Sequence, residues 1–117
     1  MIDEWLKEIK KTSDLDKVGM ILIHNGIVRG TSKDGKKVRG MKLSYSKERL
    51  DEIVSELRRA EGIFDVRVWI NEGELRVGDD IMYVLVAGRV RKEVIPVFEK
   101  LLETVKKEVV REEEILL

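Results

Sequence analysis

A handful of cations sit where the sequence changes character, and together they raise the question of an anion site. Arg29 follows the apolar run Val18 to His24 after a break at Asn25-Gly26. Arg89, Arg91 and Lys92 follow a second apolar run, Ile81 to Ala87, just ahead of a helical stretch. Lys106, with Lys107 beside it, lies on the flank of the stripe Val94, Phe98, Leu101, Val105 and Val109. A cation at the end of a buried strand marks the rim of a pocket, and a helix start favours anions. Arginine offers a planar fork to phosphate or carboxylate, while a lysine amine can also serve as base or nucleophile. The plainer role of each arginine is to solvate the rim of a sheet. The plainer role of Lys106 is to lay its stem along apolar surface with its charge in water.

Other chemistries are thinly represented. His24 is the only histidine and ends an apolar run, where a hydrogen-bonded core or edge residue is the ordinary reading. The chain has no cysteine, which excludes a disulfide framework, a thiolate metal site and a cysteine nucleophile or persulfide carrier. No group of three or four ligands has metal-site spacing, so no metal and no resident cofactor are expected. Neither a nucleophile elbow, a P-loop nor a dinucleotide fingerprint is present, and Gly26, Gly30, Gly35 and Gly40 read as turn glycines. The 23 basic residues balance 23 acidic ones, so no global field favours nucleic acid or an anionic membrane, and an anion site must be built locally. No apolar run is long enough to span a bilayer, and Met1-Ile2-Asp3-Glu4-Trp5 carries acids where a secretory leader has bases, so a cytoplasmic protein is expected. The absence of glutamine, together with 39% charged residues, fits a thermophile source.

The elements that must hold these cations follow from periodicity. Ile2, Trp5, Leu6 and Ile9 predict a short first helix, closed by Lys10-Lys11. Val18–His24 and Ile81–Ala87 lack alternation, which predicts strands covered on both faces and lying side by side in the sheet. Gly30 to Lys37 has no apolar side chain and predicts a mobile loop. Val38–Tyr45 and Phe64–Ile70 alternate as half-buried strands. Between them Ser46 caps a helix whose stripe is Leu50, Ile53, Val54 and Leu57. The last helix runs through Val109, and Glu112-Glu113-Glu114 reads as a solvated tail. The order predicts one α+β domain over residues 1–117, a mixed or antiparallel sheet with flanking helices.

The order of short motifs then becomes recognisable. Gly19 to Gly30 resembles the first strand and Gly-x-Val-Arg turn of the molybdopterin synthase large-subunit family. Gly73-Glu74-Leu75 with Val77-Gly78-Asp79-Asp80 resembles its Gly-Glu-Leu and Gly-Asp hairpin, and Val84–Ala87 followed by Val90-Arg91-Lys92-Glu93 is similar to the strand leading into its His-Arg segment. The likeness covers roughly residues 15 to 110. It implies a homodimer that binds a ubiquitin-like small subunit through a C-terminal Gly-Gly thiocarboxylate. Sulfur would pass from that tail to cyclic pyranopterin monophosphate, giving molybdopterin for a molybdenum or tungsten cofactor. It also implies roles: Lys106 and Arg91 catalytic, with Arg29 binding phosphate or pterin and Arg89 and Lys107 as supporting cations. Arg29, Arg91 and Lys106 are expected to converge on one cleft.

This sequence departs from the pattern at three places. The family's histidine falls on Val90, its second lysine falls near Glu113, and its His-Arg before the hairpin is replaced by Ile70-Asn71. The alternative is therefore a non-catalytic homologue that keeps the dimer and binds a ubiquitin-like partner without turnover.

Overall fold

The structure is a computed structural model that describes residues 1–12 and 14–117. Helix α1 (Ile2–Lys10) is followed by strands β1 (Met20–Ile27) and β2 (Val38–Tyr45), then helix α2 (Lys47–Arg58). Strands β3 (Ile63–Ile70), β4 (Gly73–Arg76) and β5 (Asp80–Gly88) lead to helix α3 (Arg91–Thr104). A π-helical turn over Val105–Val109 then opens into β6 (Val110–Leu116). The strands form two antiparallel sheets, ordered β1-β5-β3 and β4-β2-β6. This is the expected α+β class, with all strand pairs antiparallel.

The first sheet is sandwiched unevenly. Met82, Val84 and Val86 of β5 face α2 and α3, packing with Ile53, Leu57, Val94, Leu101 and Val105. Leu85 and Ala87 face the other way, onto Ile9, Trp5 and Leu6 of α1. The helix stripes read from the sequence are the buried ones, and Ser46 caps α2 by accepting from the Arg49 backbone N–H at 3.2 Å.

Three expectations are corrected. The first apolar run does pair with β5, but β1 is an edge strand and not a central one, with Ile23 39% and Ile27 50% exposed. An unbroken apolar run fixes neither neighbour count nor cover on each face; α1 is too short to reach beyond the Ile21 end. Nor does Asn25-Gly26 break the strand. Asn25 donates to Asp80 Oδ1 at 3.1 Å, and pairing continues to Ile27 through a bulge. Finally, the glutamate-rich end is not a solvated tail. It pairs along β2 as β6, because backbone ladders need no apolar alternation. The Gly30–Lys37 loop is closed by a Thr31–Lys37 bridge over a buried Ser32.

Leu101 is fully buried between α3 and the first sheet. Replacing it with alanine should lower unfolding stability by about 2–5 kcal/mol in a denaturant titration, since neighbours on two elements cannot both collapse into the space. A change below ~1 kcal/mol would show that this face is not the core.

Candidate functional site

Arg29 is placed by its neighbours' backbone. Val28 is buried, donates to the Asp79 carbonyl at 3.0 Å and accepts from the Gly78 amide at 2.9 Å. On the other side, the Val38 amide donates to the Gly30 carbonyl at 3.0 Å. Pinned from both directions, Arg29 turns its side chain into a cavity of about 660 Å³. Gly78, with φ +93°, makes the turn that allows this clamp.

Lys106 reaches the same cavity from the opposite end of the chain. The π turn buries Val105 and Val109 and leaves Lys106, Lys107 and Glu108 projecting in separate directions. Lys106 pairs with Glu112 of β6. Lys107 pairs with Glu103 at 2.8 Å, and Glu108 with Arg49 at 2.8 Å. Both Arg29 and Lys33 line the cavity, and neither makes an ion pair among the described residues. The loop residue Ser32 donates to Asp34 at 2.5 Å and accepts from the Lys36 amide at 3.0 Å, which shapes the loop that carries Lys33.

The expected convergence is only half present within one chain. Arg89 and Arg91 line another cavity, of about 650 Å³, with Gly19, Met20, Val90 and Lys92. Met20 pairs with Gly88 and Ile27 with Asp80, so Arg91 and Arg29 lie beyond opposite ends of β1, roughly 23 Å of strand apart. Arg89 is held by Glu93, with two contacts at 3.0 and 2.6 Å. That fork raises the arginine's pKa and lowers the glutamate's. Lys107 does not line the Arg29 cavity. His24 is half-buried in β1 and lines none of the cavities described here.

The substituted positions also separate. Val90 is exposed at the N-cap of α3. Glu113, near which the family's second lysine falls, lies on the face of β6 opposite Glu112 and Glu114, in a cavity with Lys42, Ser44 and Arg111. The β6 carboxylates that line the cavity with Arg29 and Lys106 are Glu112 and Glu114, and Asp34 of the loop lines it as well. The two-residue period of β6 would have revealed this had the strand been recognised. Asn71, in place of the family's basic residue, donates to the Asp80 carbonyl at 2.9 Å.

A further network at this end escaped the sequence reading. Tyr83 donates its hydroxyl to Asp80, Asn25 donates to the same carboxylate, and Trp69 stacks on Tyr83 at 4.9 Å. These groups tie the three strands of the first sheet together beside the turn that holds Arg29. Among the described residues no cluster of three or more His, Asp or Glu is placed to hold a metal ion, and no helix is long and apolar enough to cross a membrane.

Comparison with known proteins gives a consistent result. A family model described as MoaE protein matches residues 2–108. An uncharacterized protein of Methanocaldococcus jannaschii is 32% identical over 110 residues, covering 91% of this chain and 88% of that one. Among solved structures, molybdopterin synthase from Staphylococcus aureus superposes with a TM-score of 0.78 at 22% identity, covering 97% of this chain and 84% of the other. A chain from the complex of subunits 1 and 2 of molybdopterin-converting factor of Helicobacter pylori gives 0.73 at 16% identity, covering 98% and 78%. At such identities the structural likeness establishes the fold.

The Tyr83–Asp80 pair can be tested by titration. The hydrogen bond from Tyr83, and then that from Asn25, lowers the Asp80 pKa, while the bond to Asp80, and then burial, raises that of Tyr83. The contribution of Asp80 to stability is present above its unfolded pKa and is lost as pH falls through the lowered value. That of Tyr83 is present below about pH 10 and is lost as pH rises through the raised value. In a Tyr45→Phe background, which leaves one tyrosine, Asp80→Asn should shift the phenolate absorbance to lower pH. An unshifted titration would show that the pair does not form.

Proposed function

The chain belongs to the MoaE protein family, and from that premise we propose that it is the large subunit of a molybdopterin synthase, acting in molybdenum or tungsten cofactor biosynthesis. The reaction is sulfur transfer from a ubiquitin-like small subunit, carried as a thiocarboxylate on a C-terminal Gly-Gly, to cyclic pyranopterin monophosphate. The observation that supports it is the sharing of one cavity by Arg29 and Lys106. The Helicobacter pylori relative, a complex of two subunits, supports a small-subunit partner. We place this activity in the cytoplasm, in a single domain over 1–117.

The roles rest on the family likeness, and the placement of each side chain supports some of them. Arg29 and Lys33, without carboxylate partners among the described residues, receive the phosphate of the pterin as charge-assisted donors. Lys106 meets the thiocarboxylate, offsetting its negative charge as the sulfur bonds to a pterin carbon. It then serves proton transfer as water attacks the resulting thioester, breaking the acyl–sulfur bond and leaving the tail as a carboxylate. Glu112 holds the Lys106 ammonium in the cavity when the tail is absent. Arg91 cannot reach this cavity from its own chain, so its catalytic role requires a second copy, which gives the homodimer a chemical purpose. Arg89 would support Arg91 at that junction, and Lys107, now held by Glu103, is the reserve cation beside Lys106.

The second reading, a non-catalytic homologue that keeps the dimer and binds a ubiquitin-like partner, has its own support. Val90 has no proton to exchange, and Glu114 adds an unpaired negative charge to the cavity.

Mixing the protein with thiocarboxylated small subunit and the cyclic pterin decides between these readings. Dithiolene product should form, and Lys106→Ala should reduce it by at least ~100-fold while the fold stays intact. Small-subunit binding without product would establish the non-catalytic reading. Light scattering at micromolar concentration should give twice the 13.6 kDa chain mass; a monomer would leave Arg91 without its assigned place.

A further inference from the structure

The cavity shared by Arg29 and Lys106 is not uniformly basic. The loop after β1 brings Arg29, Lys33 and Asp34 to it, with Asp34 taken up by Ser32 and Lys36, whereas β6 brings Glu112 and Glu114. The two glutamates are two residues apart on one strand, so both project on the face shared with Met41 and Leu43, their partners on β2. Their situations differ. Glu112 is occupied by Lys106 and largely covered, with 17% of its side chain exposed. Glu114 makes no ion pair or side-chain hydrogen bond among the described residues.

A purely anionic ligand gains nothing from a free carboxylate in its pocket. The mixture instead suits a molecule with an anionic end and an end that donates N–H groups. A pterin phosphate is such a molecule. The aminopyrimidinone edge of its ring carries a ring N–H and an exocyclic amino N–H side by side, a donor pair that matches the two oxygens of one carboxylate as an arginine fork does. At about 660 Å³ the cavity has the volume of an ordinary small-ligand site.

Resting on the function proposed above, we propose that Glu114 binds the aminopyrimidinone edge of the pterin, with the phosphate turned towards Arg29 and Lys33. Glu114 is then the specificity-determining residue for the ring, and the ring's orientation in the cavity follows from where the charges lie. Glu112 stays with Lys106 and takes no part in ring recognition.

The test uses the full chain and two ring probes without phosphate. One is 6-hydroxymethylpterin; the other is lumazine, which has an oxygen where the pterin has its amino group. Wild-type protein should prefer the pterin by roughly tenfold or more, the range expected for hydrogen bonds to a charged group. Glu114→Gln and Glu114→Ala should both lose most of that preference, while inorganic phosphate binds as well as before. Arg29→Ala should do the reverse, weakening the binding of inorganic phosphate and leaving the ring preference intact. If the preference survives in both Glu114 variants, this assignment is overturned and the sulfur-transfer reading stands. If ring and phosphate binding fall together in both, Glu114 shapes the cavity and does not read the ring, which also overturns it. Failure of the wild type to bind either ring would overturn the Glu114 assignment alone, since dithiolene formation decides the sulfur-transfer reading.

Discussion

Strand β5 has no free side. Val84, Leu85, Val86 and Ala87 are fully buried, β1 and β3 take up both hydrogen-bonding edges, and helices cover both faces. A strand so enclosed cannot shift register without moving its whole apolar set to the wrong face. Its two ends are therefore fixed points. At one end Gly88 leads directly into Arg89 and the start of α3. At the other, the turn over Gly78 and Asp79 clamps Val28 and so aims Arg29. The distance between the two groups of cations is the length of this strand, which explains why one chain cannot assemble them.

The second sheet plays a different part. Met41, Leu43 and Leu75 bury one face against the common core, while Glu112 and Glu114 look from β6 into the Arg29 cavity. An α+β chain with 23 charges of each sign has no excess positive charge to offer an anion. The site is made locally instead, by leaving some cations without carboxylates and pairing others, as Glu93 does for Arg89 and Glu103 for Lys107.

Much of this was legible from residue order. Buried stripes of α2 and α3, the Ser46 cap, the shared face of Val66, Val68 and Ile70 in β3 and the enclosed β5 all follow from local periodicity, because each reports burial on its own element. Phe64, beside a register shift, packs on the opposite face. Features that depend on distant partners were not legible. The apolar run of β1 looks the same whether one neighbour covers it or two. β6 carries four charges in a row, Arg111 to Glu114, and is held chiefly by backbone pairing with β2. The gathering of Arg29 with Lys106, and the separation of Arg91, are matters of topology across the whole chain. Missing β6 also hid that Glu113 takes the face opposite Glu112 and Glu114.

The π turn at Val105–Val109 has a consequence for how related chains are compared. Such turns arise where a helix takes in one extra residue without disturbing what packs on either side. A relative lacking that residue would wind α-helically there, turning each later side chain by about 100° and presenting a different position to the cavity. Whether position 106 or 107 supplies the inward lysine is then a question of residue count between Thr104 and Val110. An alignment scored on residue type alone treats the adjacent lysines as equivalent and cannot choose between them; a gap placed in this turn can.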